Sequence, residues 1–383
     1  MSSIKHETWT LDFKPLEGWE ESPSFTKIQV LPTGDVALGA AFGHPFLSVL
    51  RAKNTDQANI ESLNLENVLE SDALGIVGGF HSSKKGDVDI SVMHSSKPGA
   101  IKKLFSGDFS NLKGAELVQK LDEKGEGSSV SSTHLQYKDG KFDVRRVCDP
   151  GLTWDLRFLG DYVFGVTPAG MWRERYLHLQ IEKRESLRRD LLGNFQIHRD
   201  GFGSFWALMQ NGRLSRFEYT ESKAKPTTKK LPGLEKNHGF ERSVASETDK
   251  WLYGVSGAGS ELFRVRRNPE SFEEEIQPIY TSSSPITALT AVDGGKKQGV
   301  VFSTESADGA KLYFLETVEP EDVEALPEVP KVEELGILGV PRIGALAWDV
   351  TQEKSTVLWA AEGYFGSEMT HTQKQLKVFK ISV

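Results

Sequence analysis

The sequence predicts an all-β protein, folded as a single β-propeller domain over residues 1–383. Two observations predict this fold: the composition is rich in glycine and aromatic residues, and a strand–turn–strand pattern recurs along the chain. The chain has 36 glycines, 21 phenylalanines, 8 tryptophans and 8 tyrosines. Such a composition is typical of many tight turns and short aromatic strands rather than of long helices.

The recurring unit is an alternating apolar strand, a turn rich in Gly, Ser or Asn, and a second strand ending in aromatic or basic residues. Most copies follow another short strand. Seven copies begin at Asp35, Leu74, Tyr162, Phe205, Trp251, Gly299 and Thr356. Their spacings are 39 to 57 residues apart from one gap of 88, and a four-stranded propeller blade takes roughly 40 to 50 residues. We therefore predict seven four-stranded blades, although six or eight also fit.

Some segments depart from this pattern. We interpret residues of about 104–150 as an irregular insertion, or as an additional blade, because they contain a hairpin candidate around the tight-turn pair Asp139-Gly140. Segment 316–336 is acidic and contains three prolines, which predicts an extended connection. Residues 54–73 and 182–191 have helical patterning, and residues 219–230 predict a polar loop.

The two ends of the chain suggest how the ring closes. The last copy ends at Val383 after three strands, whereas a spare alternating strand from Thr8 to Phe13 precedes the first copy. Because a propeller must join its first and last blades, we predict that this N-terminal strand is the outer strand of the last blade. A strand that packs elsewhere is the alternative.

Charge and motifs exclude several classes of function. The 46 basic and 54 acidic residues give a net charge of −8, which argues against nucleic-acid binding. No apolar stretch approaches the roughly 18 residues of a membrane span, and the start lacks the apolar core of a signal peptide. With the single cysteine Cys148 an internal disulfide is excluded. We expect a cytoplasmic monomer that neither binds nucleic acid nor inserts into membranes.

No phosphate-binding loop, nucleophile elbow, zinc helix or EF-hand loop occurs in the sequence. We therefore expect no cofactor, although separate blades can direct metal ligands at one central ion. The turns between second and third strands, with the links between blades, are expected to surround the channel and bind a small molecule. The candidate catalytic residues are His81, Glu305 and Glu362. The candidate ligand-binding residues are His44, Trp172, Arg173, His238, Arg242, Arg342, Tyr364 and His371.

The reasons for these choices are chemical. Histidine titrates near neutral pH, and a carboxyl group at the end of an apolar strand has its pKa raised by burial, so both suit acid or base catalysis. Tyr364 lies on the longest turn and is a candidate lid. Each residue also has a structural interpretation, such as a turn histidine bonded to local backbone or a glutamate paired with an arginine of the next blade. Trp206, Trp251 and Trp359 are predicted to fill the core between blades.

The divergent blades, the N-terminal TWTLDF strand, the missing metal motif and the start without a signal resemble the cytosolic fungal secondary-metabolism β-propeller proteins, such as those of trichothecene clusters. This resemblance implies a role in terpenoid biosynthesis. It also implies a cofactor-independent cyclase or lyase that acts through the shape of its pocket and a placed acid or base.

Two other functions stay open at this stage. A non-enzymatic scaffold for protein or glycan is one, although repeated Trp-Asp strand endings are absent apart from Trp154-Asp155 and Trp348-Asp349. A metal-dependent lactonase or hydrolase is the other. The turns differ from one another in length and chemistry, which favours one asymmetric site.

Overall fold

The regular structure of the protein is entirely β-strand in the residues that can be described. The computed structural model describes residues 4–15, 23–41, 43–44, 46–51, 60–62, 74–82, 88–95, 130–138, 141–148, 155–159, 162–167, 170–177, 180–181, 185–188, 194–199, 205–209, 213–217, 226–230, 245–248, 251–256, 259–267, 274–294, 297–317, 331–349, 357–364 and 374–383. Within these ranges no helix is long and apolar enough to cross a membrane.

The strands are numbered in chain order. They are β1 (His6–Asp12), β2 (Lys14–Pro15), β3 (Ser24–Val30), β4 (Val36–Ala41), β5 (Gly43–His44), β6 (Leu47–Leu50), β7 (Ile60–Ser62), β8 (Leu74–Ser82), β9 (Val88–Ser95), β10 (Val130–Lys138), β11 (Lys141–Cys148), β12 (Asp155–Leu159), β13 (Tyr162–Thr167), β14 (Gly170–Leu177), β15 (Gln180–Ile181), β16 (Glu185–Arg188), β17 (Asn194–Arg199), β18 (Phe205–Met209), β19 (Arg213–Phe217), β20 (Pro226–Lys230), β21 (Ala245–Glu247), β22 (Leu252–Ser256), β23 (Glu261–Arg267), β24 (Glu274–Thr281), β25 (Ile286–Gly294), β26 (Lys297–Thr304), β27 (Ala310–Glu316), β28 (Val332–Leu338), β29 (Ile343–Trp348), β30 (Val357–Glu362) and β31 (Gln375–Ser382).

These strands form antiparallel sheets in which neighbours along the chain pair with each other. In chain order, and named here sheets 1 to 7, they are β3-β4-β6-β7, β8-β9-β10-β11, β12-β13-β14-β15 with β16 also on β14, β17-β18-β19-β20, β21-β22-β23-β24, β25-β26-β27-β28 and β29-β30-β31-β1. A two-stranded sheet, β2-β5, accompanies them in the described ranges. This repeated antiparallel order is that of a β-propeller.

The first strand of each sheet lies innermost. Each of these strands contacts the first strand of the next sheet, from β3 through β8, β12, β17, β21 and β25 to β29. Strand β29 in turn contacts β3. The innermost strands therefore lie beside one another in chain order, and the space that they border is called the channel below.

The N-terminal strand pairs with the C-terminal one. Strand β1 is antiparallel to β31, with His6 opposite Ile381 and Asp12 opposite Gln375. It begins two residues before the predicted start at Thr8 and ends one residue before Phe13. Strands β1 and β31 are thus neighbours in one four-stranded sheet.

Apolar side chains fill the spaces between neighbouring sheets. Because both faces of a sheet in a propeller are covered, second strands are apolar along their length, as in β4 (VALGAA) and β30 (VLWAAE). Trp251 and Trp359 are 5% and 1% exposed, which confirms their predicted place in the core. The side chain of Trp206 lies outside the described residues.

Two sequence interpretations of the second sheet were wrong. The copy beginning at Leu74 was aligned with second strands, but β8 is the first strand of its sheet, and β9 matches the second strands of the other sheets. Within the insertion predicted for about 104–150, β10 and β11 are the third and fourth strands of sheet 2. The preceding part of that segment lies outside the described residues.

The other errors concern outermost strands. The predicted helix at 54–73 contains β7, the predicted helical turn at 182–191 contains β16, the predicted loop at 219–230 contains β20, and the predicted connection at 316–336 contains the start of β28. An outermost strand has little apolar surface to bury, so its sequence resembles that of a polar loop or exposed helix.

Candidate functional site

A histidine and a carboxylate from neighbouring innermost strands meet in the channel. Nε2 of His81, on β8, lies 2.7 Å from Oδ1 of Asp155, the first residue of β12. The Asp155 side chain is fully buried and that of His81 is 10% exposed. Asp155 Oδ1 also accepts hydrogen bonds from Ser91 Oγ at 3.0 Å and from the Leu156 backbone N–H at 2.9 Å. An ionised carboxylate only accepts hydrogen bonds, so Nε2 of His81 carries the hydrogen.

This close approach depends on a glycine. A Cβ atom at Gly79 would lie 2.4 Å from Asp155 Oδ1 and 2.9 Å from His81 Nε2. Gly79 follows a β-bulge in β8, where the pairing with β9 shifts between Val77 and Gly79. Any side chain at this position would displace the carboxylate or the imidazole.

A second ionic group is formed by residues of three innermost strands, β12, β17 and β21. Arg157 on β12 donates from Nη1 to Glu247 Oε2 at 2.9 Å and from Nη2 to Glu247 Oε1, so the contact is bidentate. His198 Nδ1 lies 3.1 Å from the same Oε2. Arg157 belongs to sheet 3, His198 to sheet 4 and Glu247 to sheet 5. The ion pair therefore spans the innermost strand of sheet 4 on the channel side.

The surroundings set the charges in this group. Burial alone would raise the pKa of Glu247, but the charge of Arg157 and the hydrogen bonds from His198 and Arg157 hold that pKa well below its ordinary value. Burial lowers the pKa of His198, and the nearby charges of Arg157 and His81 lower it further, against the opposing effect of Glu247. Glu247 is therefore ionised and His198 neutral near pH 7.

Lys27, on β3, is the fourth basic group of the channel, after His81, Arg157 and His198. Its side chain is partly buried. Burial lowers the pKa of Lys27, and the negative charge of Asp155 opposes this effect. The first three sheets therefore bring an amine, an imidazole and a carboxylate into electrostatic contact.

A recurring bulge shows which positions of the innermost strands are equivalent. Pairing shifts by one residue in β3, β8, β17, β25 and β29. The residues directly after the shift are Lys27, Gly79, Gln196, Ala288 and Ala345, and two positions later stand Gln29, His81, His198, Thr290 and Ala347. His81 and His198 are thus equivalent, and each binds a carboxylate from the following sheet.

These six residues are called the channel cluster: Lys27, His81, Asp155, Arg157, His198 and Glu247. Of the residues predicted from sequence, the cluster contains His81 alone, and that prediction misplaced it on a turn between second and third strands. The structure places His81 near the end of an innermost strand. The other five were missed because no motif links them. Within the described ranges, no group of three or more His, Cys, Asp or Glu side chains is arranged to hold a metal ion.

Glu305, one of the two glutamates predicted to be catalytic, forms no described contact with the channel cluster. Glu305 Oε2 is 3.5 Å from Arg342 Nη1, and the two side chains are 19% and 5% exposed. Glu305 follows β26 of sheet 6 and Arg342 precedes β29 of sheet 7. This arrangement is the structural alternative considered above, a glutamate paired with an arginine of the neighbouring sheet.

Glu362 and Tyr364 are buried together at the junction of sheets 7 and 1. Glu362 is 2% and Tyr364 5% exposed. Glu362 accepts hydrogen bonds from the Tyr364 hydroxyl and, at 2.9 Å, from the Lys377 backbone N–H. The Tyr364 backbone N–H donates to Ser24 Oγ at 2.6 Å. The prediction of a lid at Tyr364 was therefore wrong, because this ring lies in the core.

The remaining predicted ligand-binding residues are not brought to the channel cluster by any described contact. Trp172 and Arg173 were predicted in a turn, but they lie within β14, opposite Gly165 and Phe164 of β13. His44 is in β5, and its side chain lies outside the described residues. His238, Arg242 and His371 also lie outside the described residues.

Comparisons with known proteins indicate the fold. No family model and no curated protein matches the sequence. The chain is similar to a solved streptogramin B lyase, with 12% identity, a TM-score of 0.52 and coverage of 98% of both chains. It is also similar to a chain of the mitotic checkpoint complex, with 9% identity, a TM-score of 0.56 and coverage of 100% of this chain and 96% of that one.

A third similar structure is BBS1N in complex with ARL6DN, with 10% identity, a TM-score of 0.51 and coverage of 98% of this chain and 97% of that one. At such identities the likeness shows the fold alone. The chain is an all-β propeller.

Proposed function

We propose that the protein binds a small organic molecule in the channel and moves a proton to or from it, as a cofactor-independent cyclase or lyase. The observation that carries this proposal is the buried Asp155 carboxylate that holds His81. Asp155 keeps the hydrogen on Nε2, which leaves Nδ1 of the neutral ring as a base. The same carboxylate then stabilises the imidazolium that forms, as in other histidine–carboxylate pairs.

The rest of the channel cluster supports a polar but nearly neutral ligand. Arg157 is matched by Glu247, and the charge of Asp155 acts on Lys27, so positive and negative groups offset one another in the channel. Such a wall suits hydroxyl, carbonyl or ether oxygens rather than a highly charged ligand. Thr290 of sheet 6 and Ala347 of sheet 7 are equivalent to His81 and are shorter than histidine, so these two sheets leave space for a ligand in the channel.

The architecture we propose around this site is a ring of seven blades, closed by β1 on the last one. The series of contacts between innermost strands and the pairing of β1 with β31 support it. We also propose a setting in terpenoid secondary metabolism of the trichothecene type, a cytoplasmic location and a monomeric state, all on the basis of the sequence resemblance. The similar streptogramin B lyase is compatible with a lyase on this fold.

The test uses a panel of oxygenated terpenoid alcohols, epoxides and enones incubated with the protein in H₂O and in D₂O. Mass spectrometry is used to detect conversion or deuterium incorporation. We expect His81→Gln and Asp155→Asn to lower the rate by about 100-fold or more, the usual contribution of a positioned base. The exposed His6, whose Nδ1 lies 2.7 Å from the Ile4 carbonyl oxygen, provides the control His6→Gln. Equal rates in wild type and His81→Gln would refute the proposal.

A non-enzymatic scaffold is the second candidate, since two of the similar structures come from multiprotein complexes. A scaffold would tolerate His81→Gln and Asp155→Asn without any change in partner binding. A metal-dependent hydrolase is tested by melting with Ca²⁺, Mn²⁺ or EDTA, because a bound ion raises the melting temperature by mass action.

A further inference from the structure

We infer that Lys27 is a nucleophilic amine that captures an aldehyde or ketone in the channel as an imine. This inference rests on the proposed function and deepens it, because it names carbonyl compounds as the substrate class. Three observations carry it: the place of Lys27 on the innermost strand, the small residues at equivalent positions, and the carboxylate that Lys27 shares with His81.

The position of Lys27 places it at a level of the channel where several other sheets carry small residues. Lys27 is the residue directly after the bulge in β3, and the equivalent residues of sheets 2, 6 and 7 are Gly79, Ala288 and Ala345. Strand β3 contacts β8, which carries Gly79. Sheet 4 has Gln196 at this position, so Lys27 and Gln196 are the two long side chains among short ones at this level of the channel.

A second glycine keeps these two sheets close. Gly39 is the pairing partner of Lys27, and a Cβ atom at Gly39 would lie 2.7 Å from Val77 Cβ. The backbone of sheet 1 therefore approaches sheet 2 directly beside Lys27. This approach brings the amine toward the strand that carries His81.

Asp155 connects the amine to the base. It is the carboxylate that acts on Lys27 electrostatically, and it also accepts the hydrogen bond from His81. Burial lowers the pKa of Lys27, so the channel amine is neutral for a larger fraction of time at pH 7 than an exposed lysine, whose pKa is about 10.4. The neutral amine is the nucleophile in imine formation.

The chemistry balances without an oxidant or reductant. The nitrogen lone pair of Lys27 attacks the carbonyl carbon, the C=O π pair moves to oxygen, and one proton passes from nitrogen to oxygen to give a carbinolamine. His81 takes a proton from solvent water at Nδ1 and donates it to the hydroxyl group, which leaves as water, and the nitrogen lone pair forms the iminium C=N bond. Neutral His81 is left beside a C–H group that the iminium has made acidic, and it removes that proton to give the enamine.

The experiment traps the imine. Full-length protein is incubated with hexanal and sodium cyanoborohydride at pH 7, and the sites of reductive alkylation are read by peptide mass spectrometry over time. We expect Lys27 to be labelled at least about tenfold faster than Lys141, because binding in the channel raises the effective concentration of the aldehyde. Lys141 is the internal reference because it is exposed.

Two variants provide controls. In Lys27→Met the fast label is lost, and in Lys141→Arg it persists. The comparison of Lys27 with Lys141 in the wild type needs no variant, so a Lys27→Met protein that fails to fold does not weaken the test. Labelling of Lys27 no faster than that of Lys141 overturns the inference.

The two proposals fail in different ways. Deuterium exchange that depends on His81, without fast labelling of Lys27, overturns the imine and leaves the proposed function intact. Fast labelling of Lys27 without exchange in any compound of the panel overturns proton transfer by His81 and leaves the amine as a carbonyl-binding group.

Discussion

Two parts of the propeller, built from the same repeated sheet, are held together in different ways. Sheets 7 and 1 meet through apolar side chains, close backbone contacts and an uncharged hydrogen bond from the Tyr364 backbone to Ser24. Sheets 2 to 5 meet at the channel through hydrogen-bonded charges instead. At one equivalent position of the innermost strand, sheet 7 has Ala347 and sheet 2 has His81. The difference teaches that burial stabilises the junction of the chain ends, while the charged sector carries the candidate chemistry.

The junction of sheets 7 and 1 is tightly packed. A Cβ atom at Gly344 or at Gly363 would lie 2.0 or 2.2 Å from the Phe25 carbonyl oxygen. Trp359 of β30 belongs to the same apolar cluster as Phe25 of β3, and within sheet 7 it stacks on Trp9 of β1, with ring centroids 5.3 Å apart. Burial of apolar area is the main stabilising contribution in folding, so the largest losses of stability are expected here.

The strongest test of this comparison is Trp359→Ala. Trp359 is 1% exposed, and its removal leaves a cavity between sheets 7 and 1, so we expect a loss of about 4 kcal/mol in the free energy of unfolding. Urea denaturation measures it. The variant Trp359→Phe keeps an aromatic ring and should lose less than about 1.5 kcal/mol. A loss below about 1 kcal/mol for Trp359→Ala would mean that this junction does not dominate stability.

The charged sector is tested by Glu247→Gln. This change leaves the Arg157 guanidinium, 5% exposed, without its counter-charge, and we expect a loss of about 3 kcal/mol at pH 7. The control is Glu275→Gln, because Glu275 is 36% exposed where it pairs with Arg266, and a loss below about 1 kcal/mol is expected. Equal losses in the two variants would show that the channel ion pair contributes no more to stability than the exposed pair of Glu275 and Arg266.

The stability that Glu247 contributes should depend on pH, and the variant Glu247→Gln tests this. The pKa of Glu247 is lower in the folded protein than its ordinary value of 4.5, so the unfolded chain binds more protons as the pH falls. The stability that ionised Glu247 contributes is fully present above pH 4.5 and is lost as the pH falls toward the folded pKa. The difference in unfolding free energy between wild type and Glu247→Gln should therefore be constant from pH 7 to about pH 5.5 and shrink below pH 4.5.

Much of the fold was predictable because local patterns encode it. Alternating apolar residues in hairpins identified most inner strands, and β1 was recognisable at Thr8 to Phe13 from its alternation alone. The outermost strands were missed for a physical reason. Strands such as β16 (ESLR) and β20 (PTTKK) have little apolar surface to bury, and their pairing with the third strand leaves no sequence periodicity.

The channel cluster was less predictable because its contacts are remote in sequence. His81 and Asp155 are 74 residues apart, and Arg157 and Glu247 are 90 apart. The usable signal was the presence of ionisable groups between apolar residues of innermost strands, as in β12 (DLRFL) and β17 (NFQIHR). An ionisable group there needs a partner or a function, whereas the candidate residues predicted from the sequence belonged mainly to turns.

The smallest expected effect on stability, and the most specific one, comes from Gly79→Ala. The added methyl group would displace Asp155 or His81, because its carbon would lie 2.4 Å from Asp155 Oδ1. We expect a loss of about 1 to 2 kcal/mol in unfolding free energy, together with loss of the exchange that depends on His81.

The matched control is Gly339→Ala, where the added carbon meets nothing within 4 Å. Stability and exchange should both stay at wild-type values in that protein. If Gly79→Ala keeps full exchange while losing stability, the hydrogen bond between His81 and Asp155 serves only to join sheets 2 and 3. If exchange falls much further than stability, the geometry of this pair itself is what the chemistry requires, and the charged sector differs from the apolar junction in function as well as in packing.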